Sequence, residues 1–132
     1  MGRGILIILD THAWIWWVAE PGKLSARARH AIDAAEDLGV CAISCWEVAM
    51  LVAKRRLELD RDVLLWIRQA LALPRVTFLG LTREICVAST LLLDSPADPA
   101  DRMIAAAARE HRAPVVTKDS RLRSVTGVET VW

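Results

Sequence analysis

The sequence predicts a three-layer α/β fold: a central, mainly parallel sheet of about five short strands, flanked by helices. Three observations carry that expectation. Short apolar segments alternate with longer helix-patterned ones along the whole chain. The first of them, Ile5-Leu6-Ile7-Ile8-Leu9, is apolar at every position, as a strand buried on both faces must be. No internal repeat or Gly/Ser-rich linker interrupts the pattern, so residues 1–132 read as one domain.

The elements follow in order. After the Ile5–Leu9 strand, Ala13 to Ala19 is apolar all round and reads as a helix ended by Pro21-Gly22. Ser25 caps a second helix, with Ala28, Ala31, Ile32, Ala35 and Leu38 at helical spacing and Gly39 as its stop. Val40 to Ile43 is a short strand, and Ser44 to Arg55 a helix. Val63 to Leu73 is another, with Pro74 beyond it; Val76 to Leu79 is the third strand. Thr82 to Leu93 is helical, and Asp98-Pro99 opens a helix running to about His111. Val115 to Thr117 is a strand, Ser120 to Ser124 a helical turn, and Val128 to Val131 a last short strand.

Composition excludes several classes. Of the 132 residues, 54% are hydrophobic and 25% charged, which argues against disorder. Seventeen Lys and Arg against sixteen Asp and Glu leave a net charge of +1, so neither a basic nucleic-acid coat nor an acidic tail is present. The apolar run at the start stops at Asp10, far short of the ~20 residues a spanning helix needs, and no membrane association is expected. Cys41, Cys45 and Cys86 are odd in number and read as small buried hydrophobes of a cytoplasmic protein, not a disulfide framework or a zinc site.

In a parallel sheet, ligands sit beyond the carboxyl ends of the strands, at a topological switch point. Four carboxylates fall there. Asp10 ends the first strand, Glu47 lies in the first turn of the helix after the second, Asp101 lies in the first turn of the Asp98-Pro99 helix, and Asp119 follows Val115-Val116-Thr117-Lys118. Each has a structural alternative except Asp10. Ser44-Cys45-Trp46-Glu47 has the form of a capping box, Asp98 suits an N-cap, Asp101 complements the helix dipole, and Asp119 suits a cap of its own short helix. A lone carboxylate ending a buried strand is costly without a partner, so Asp10 resists that reading. Gathered together, such groups repel and take up protons unless a hard divalent cation such as Mg²⁺ or Mn²⁺ relieves them. That arrangement serves phosphoryl chemistry.

Leu9-Asp10-Thr11-His12, Ser44-Cys45-Trp46-Glu47, Asp98-Pro99-Ala100-Asp101-Arg102-Met103-Ile104-Ala105-Ala106 and Thr117-Lys118-Asp119-Ser120-Arg121-Leu122 closely resemble the motifs of PIN-domain ribonucleases. The resemblance is nearest to the VapC-type toxins of type II toxin–antitoxin pairs, and its motifs cover essentially the whole chain in order and spacing. It implies a PIN-like fold, Mg²⁺- or Mn²⁺-dependent endoribonuclease activity leaving 5′-phosphate and 3′-hydroxyl ends, a homodimer, and a cognate antitoxin. It carries the family's acidic quartet onto Asp10, Glu47, Asp101 and Asp119, with Asp98 either a further ligand or a cap. Asp10 is then the central metal ligand, Asp101 and Asp119 complete the site, and Glu47 ligates or orients the attacking water. Thr11 and Thr117 flank the ligands and can bond a carboxylate or phosphate. Arg102, Lys118 and Arg121 lie nearest the acidic residues in sequence and are expected to hold RNA.

Trp14, Trp16, Trp17 and Trp46 have the chemistry to stack bases or to form a groove for an antitoxin helix. Helical spacing nonetheless assigns most of the six tryptophans to the core, with the remainder at a dimer or antitoxin surface. Met50, Leu51, Leu57, Leu59 and Trp66 lie in the middle segment that, by the same resemblance, meets the antitoxin and second protomer. Other classes compete. A catalytically inactive PIN-like module would bind RNA or protein without cleaving. An aspartyl-phosphate enzyme usually carries a second Asp where this chain has His12. A DNA-binding regulator needs a basic recognition helix, and none is apparent.

Overall fold

The computed structural model describes residues 5–92 and 98–132. Five parallel strands, β1 (Leu6–Leu9), β2 (Asp37–Cys41), β3 (Val76–Leu79), β4 (Val115–Val116) and β5 (Thr130–Val131), form one sheet in the order β3-β2-β1-β4-β5. Helices α1 (Thr11–Ala19), α2 (Ala26–Ala34), α3 (Ala42–Ala53), α4 (Val63–Leu71), α5 (Arg83–Thr90), α6 (Pro99–His111) and α7 (Ser120–Arg123) connect them. A single 3₁₀ turn, Pro21–Lys23, follows α1. The three-layer α/β expectation holds.

The central strands β1 and β4 are buried on both faces, which explains their apolar runs. Side chains alternate: Ile7, Leu9, Leu38, Val40 and Val116 enter one core with Trp14, Ile32, Val48 and Trp66. Ile8, Cys41, Leu79 and Val115 enter the other, with Ile85, Leu122 and the small-residue stretch Ile104 to Ala108 of α6. In register, Leu9 faces Val40 on one side and Val116 on the other, so β1 is the central strand. The chain winds outward from β1 through β2 to β3, then crosses back to place β4 on the opposite side. The switch point therefore lies between the carboxyl ends of β1 and β4, beside Asp10 and Thr117.

Several boundaries differ from expectation for identifiable reasons. The second helix ends at Ala34, with Ala35 as its C-cap, and does not reach Leu38. Gly39 is no helix stop but lies mid-strand in β2, where an added Cβ would stand 2.8 Å from Leu79 Cδ1 and 3.3 Å from Ile8 Cγ1. The carbonyls of Ile32 and Ala35 at the end of α2 instead accept from Arg75 Nη1, at 2.9 and 2.8 Å. Strand β2 consequently starts and ends earlier than Val40–Ile43, and Ala42 and Ile43 belong to α3. Thr117 lies just past β4, and Val128 precedes β5. The expected helix end at Leu93 falls outside the described residues; α5 ends at Thr90.

Among the tryptophans, Trp14 and Trp66 are buried and pack with ring centroids 5.2 Å apart. Trp16, Trp17 and Trp132 are half-buried against the same core, while Trp46 is 58% exposed. Trp66 of the middle segment belongs to the core, and Met50, Leu51, Leu57 and Leu59 are half-buried. The three cysteines are free, and burial pushes the Cys41 thiol up to about 12. No helix among the described residues is long and apolar enough to cross a membrane.

Candidate active site

At the switch point the chain opens a cleft of about 410 Å³ lined by Asp10, Thr11, His12, Trp16, Glu47, Asp98, Asp101, Lys118, Asp119 and Arg121. Asp10, Glu47, Asp98, Asp101 and Asp119 thus share one cavity, as do Thr11, Lys118 and Arg121. Thr117 stands behind it, bonded to Asp10. Arg102 is not among the lining residues.

Asp10 enters by two routes. Its amide N–H donates to Val116 O across the sheet at 3.1 Å, which fixes it at the end of β1. Its Oδ1 accepts from Ala13 N–H at 2.8 Å, making it the N-cap of α1. The expectation that Asp10 has no structural role is therefore corrected: the strand runs straight into a helix, and the first turn needs a cap. Asp98 and Asp119 are N-caps as well, accepting from Ala100 N–H at 2.8 Å and Arg121 N–H at 2.9 Å. Asp101 lies in the first turn of α6. The cleft is where three helix N-termini converge, and their dipoles partly offset the carboxylate charge.

Glu47 is held differently. Helix α3 begins at Ala42 with Cys41 as N-cap and no side-chain capping bond, so the expected Ser44–Glu47 capping box does not form. Glu47 lies in the second turn, not the first. Its Oε1 accepts from the Thr11 hydroxyl at 2.5 Å, and Ser44 Oγ lies 2.9 Å from the same hydroxyl. A hydroxyl has one proton, so Thr11 donates to Glu47 while Ser44 donates to Thr11. All three are buried.

Charge is concentrated unevenly. Burial drives the Asp10 carboxyl above its ordinary range, opposed by bonds from Thr117 and Ala13. Asp101 is pushed up to about 7, first by burial and then by the neighbouring Asp98, Asp119 and Glu47. Asp119 moves the other way, because Arg121 hydrogen-bonds it. The Thr117 hydroxyl links the two sides, bonding Asp10 and accepting from Asp119 N–H at 2.9 Å. Among the described residues, no three His, Cys, Asp or Glu side chains converge closely enough, as they stand, to hold a metal.

A PIN-domain family model matches residues 7–128. The chain belongs to the PIN-domain family. This PIN domain is 44% identical over 119 residues to Ribonuclease VapC22 of Mycobacterium tuberculosis (strain ATCC 25618 / H37Rv), covering 89% of this chain and 90% of that protein. Its fold is similar to that of VapBC2 from Rickettsia felis bound to a promoter DNA fragment (TM-score 0.71, 12% identity, 96% and 97% of the two chains). It is also similar to VapBC-1 from nontypeable Haemophilus influenzae (TM-score 0.70, 15% identity, 96% of each chain).

Two lining residues go beyond the sequence reading, which gives His12 no site role and assigns most of the tryptophans, Trp16 among the candidates, to the core. His12 and Trp16 lie one helical turn apart on α1, with ring centroids 5.7 Å apart. The available signal was spacing: a residue two positions after a strand-end carboxylate, and the i+4 aromatic beyond it, project from the same helix end. Beside the cleft, exposed Trp46 borders an apolar hollow of about 480 Å³ with Ile43, Met50, Pro99 and Ala100. Glu47 and Asp98 wall both recesses.

Proposed function

We propose that this PIN domain is a Mg²⁺- or Mn²⁺-dependent endoribonuclease, the toxin of a cytoplasmic toxin–antitoxin pair, restrained by a cognate antitoxin. The observation that carries the reading is the convergence of Asp10, Glu47, Asp101 and Asp119, from four separate segments, on one cleft at the carboxyl ends of β1 and β4. Sequence kinship with a ribonuclease supports RNA as substrate. The neighbours described as VapBC assemblies support a protein partner. Large exposed side chains such as Leu64, Phe78, Val87 and Leu91 suit a chain that works as a homodimer bound to that partner.

The donor set fits a hard cation. All candidate ligands are carboxylate oxygens, and the burial and carboxylate crowding that push Asp101 up to about 7 are what a divalent ion would offset in the proton's place. When bound, the ion supplies a Lewis acid and an activated water for phosphodiester hydrolysis. In this reading Asp10, Asp101 and Asp119 hold it, and Asp98 is chiefly the cap of α6. Asp10 is kept in place by Ala13 N–H and Thr117, so it is preorganised for the role. Glu47, steered by Thr11, orients the attacking water and takes its proton. Lys118 and Arg121 at the cleft, with Arg102 on α6 beyond it, bind the RNA phosphates.

The test uses purified protein free of antitoxin, incubated with total RNA in Mg²⁺, Mn²⁺ or EDTA. Cleavage that needs the divalent ion and disappears in Asp10→Asn is expected. Cleavage indifferent to EDTA would overturn the metal-dependent mechanism, and absence of cleavage with intact RNA binding would make the chain a binding module.

A further inference from the structure

The Arg121 guanidinium sits against Asp119 and within ion-pair reach of Asp101, and those two carboxyl groups also hydrogen-bond each other. Arg121 Nη2 is 2.8 Å from Asp119 Oδ2 and 3.7 Å from Asp101 Oδ2. Its Nε lies 3.1 and 3.2 Å from the two Asp119 oxygens, so the contact with Asp119 is a two-pronged fork. Lys118 lines the same cleft, yet among the described residues it makes no ion pair with either carboxylate.

We propose that Arg121 is the resident counter-ion of the cleft: it holds Asp101 and Asp119 around its own charge, and a divalent cation must displace it to bind. The proposal rests on the metal-dependent reading above and adds what sets the ion's affinity. Three observations support it. Asp101 and Asp119 line the same cavity, and Arg121 is within ion-pair distance of both. The Arg121 side chain is 63% exposed while that of Asp101 is 13% exposed, so the cation can swing into solvent and leave the buried acid in place. Arg121 also lies in the four-residue helix α7, two positions from Asp119, so its departure needs only side-chain rotation.

The consequence is competition. Metal binding must break the Arg121 fork, so wild-type affinity is the intrinsic affinity of the carboxylates reduced by the strength of that ion pair. Removing the guanidinium raises metal affinity, although it removes a side chain of the site. An ordinary supporting residue would behave in the opposite way.

The experiment is a Mn²⁺ titration of the intact, antitoxin-free chain, followed by calorimetry or by the paramagnetic signal of free Mn²⁺, with no RNA present. Arg121→Gln is expected to bind Mn²⁺ roughly tenfold more tightly than wild type, within the range for loss of a charge-assisted pair. Arg121→Lys, which keeps the charge without the fork, falls between them and carries the test if the Gln variant does not fold. Lys118→Gln removes the same charge from the same cleft and shifts affinity much less. Unchanged or weaker binding in both Arg121 variants overturns the inference, as does an equal gain in Lys118→Gln. If wild type binds Mn²⁺ and Asp10→Asn does not, the metal-dependent reading survives that failure. If no form binds Mn²⁺, both fall together.

Discussion

The Thr11 hydroxyl and the Glu47 carboxylate meet at 2.5 Å across 36 positions of sequence, both buried at the rim of the acidic cleft. That bond joins the first turn of α1 to the second turn of α3 and fixes the orientation of the one site carboxylate that caps no helix and lies outside a first turn.

Thr11→Val keeps the volume and removes the hydroxyl. It leaves the Glu47 carboxylate and the Ser44 hydroxyl without their partner and should cost about 1–3 kcal/mol. A urea titration measures this; Thr11→Ser should restore most of the loss. RNA cleavage should fall more steeply than stability in the Val variant, because Glu47 loses its steering bond.

Metal-free stability should decline as pH rises from about 4 to about 7. Asp101 is raised from an ordinary value of 3.8 to about 7, so in this window the folded chain holds a proton the unfolded chain has released. Stability is fullest below the ordinary value and is lost as pH rises through the folded one. Asp10, also raised, acts in the same direction. Asp119 is lowered, so its contribution instead falls away in more acid solution. At ~1.4 kcal/mol per unit the Asp101 effect is of the order of a few kcal/mol. Denaturant midpoints in EDTA should show the slope, Asp101→Asn should flatten it, and Mg²⁺ should reduce it.

Asp98 provides a separation of roles. Asn caps a helix about as well as Asp, so Asp98→Asn should leave stability within about 0.5 kcal/mol, whereas Asp98→Ala should lose about 1 kcal/mol. Cleavage by the Asn variant should stay within about threefold of wild type, since the reading gives Asp98 a capping role. Thermal unfolding and initial cleavage rates check the two halves.

Most of this architecture is local and was legible. The apolar run before Asp10, the Ser25 and Asp98 caps, and the small-residue face of α6 each state their structure within one or two turns. What escaped depends on distant partners. Gly39 looks like a helix stop until Leu79 and Ile8 are seen to crowd its α-carbon. The end of α2 is satisfied by Arg75, some forty residues on, and no local signal announces it. Ser44 and Glu47 have capping-box spacing, but Thr11 claims both. The site's composition could be read from strand ends; its internal bonding, including the grip of Arg121 on Asp119, could not.

Arg75 itself is testable. Arg75→Met keeps much of the aliphatic stem but uncaps the carbonyls of Ile32 and Ala35, and should destabilise the fold by about 1–2 kcal/mol. Hydrogen exchange should localise the loss to the end of α2 and the start of β2, and RNA cleavage per folded molecule should be unchanged.

Anomalous diffraction from crystals grown with Mn²⁺ tests the central claim most directly. The account predicts a manganese peak bounded by Asp10, Asp101 and Asp119, with the Arg121 guanidinium turned out of the cleft. Saturating Mn²⁺ with no peak among those three side chains, and Arg121 still forked onto Asp119, would contradict it.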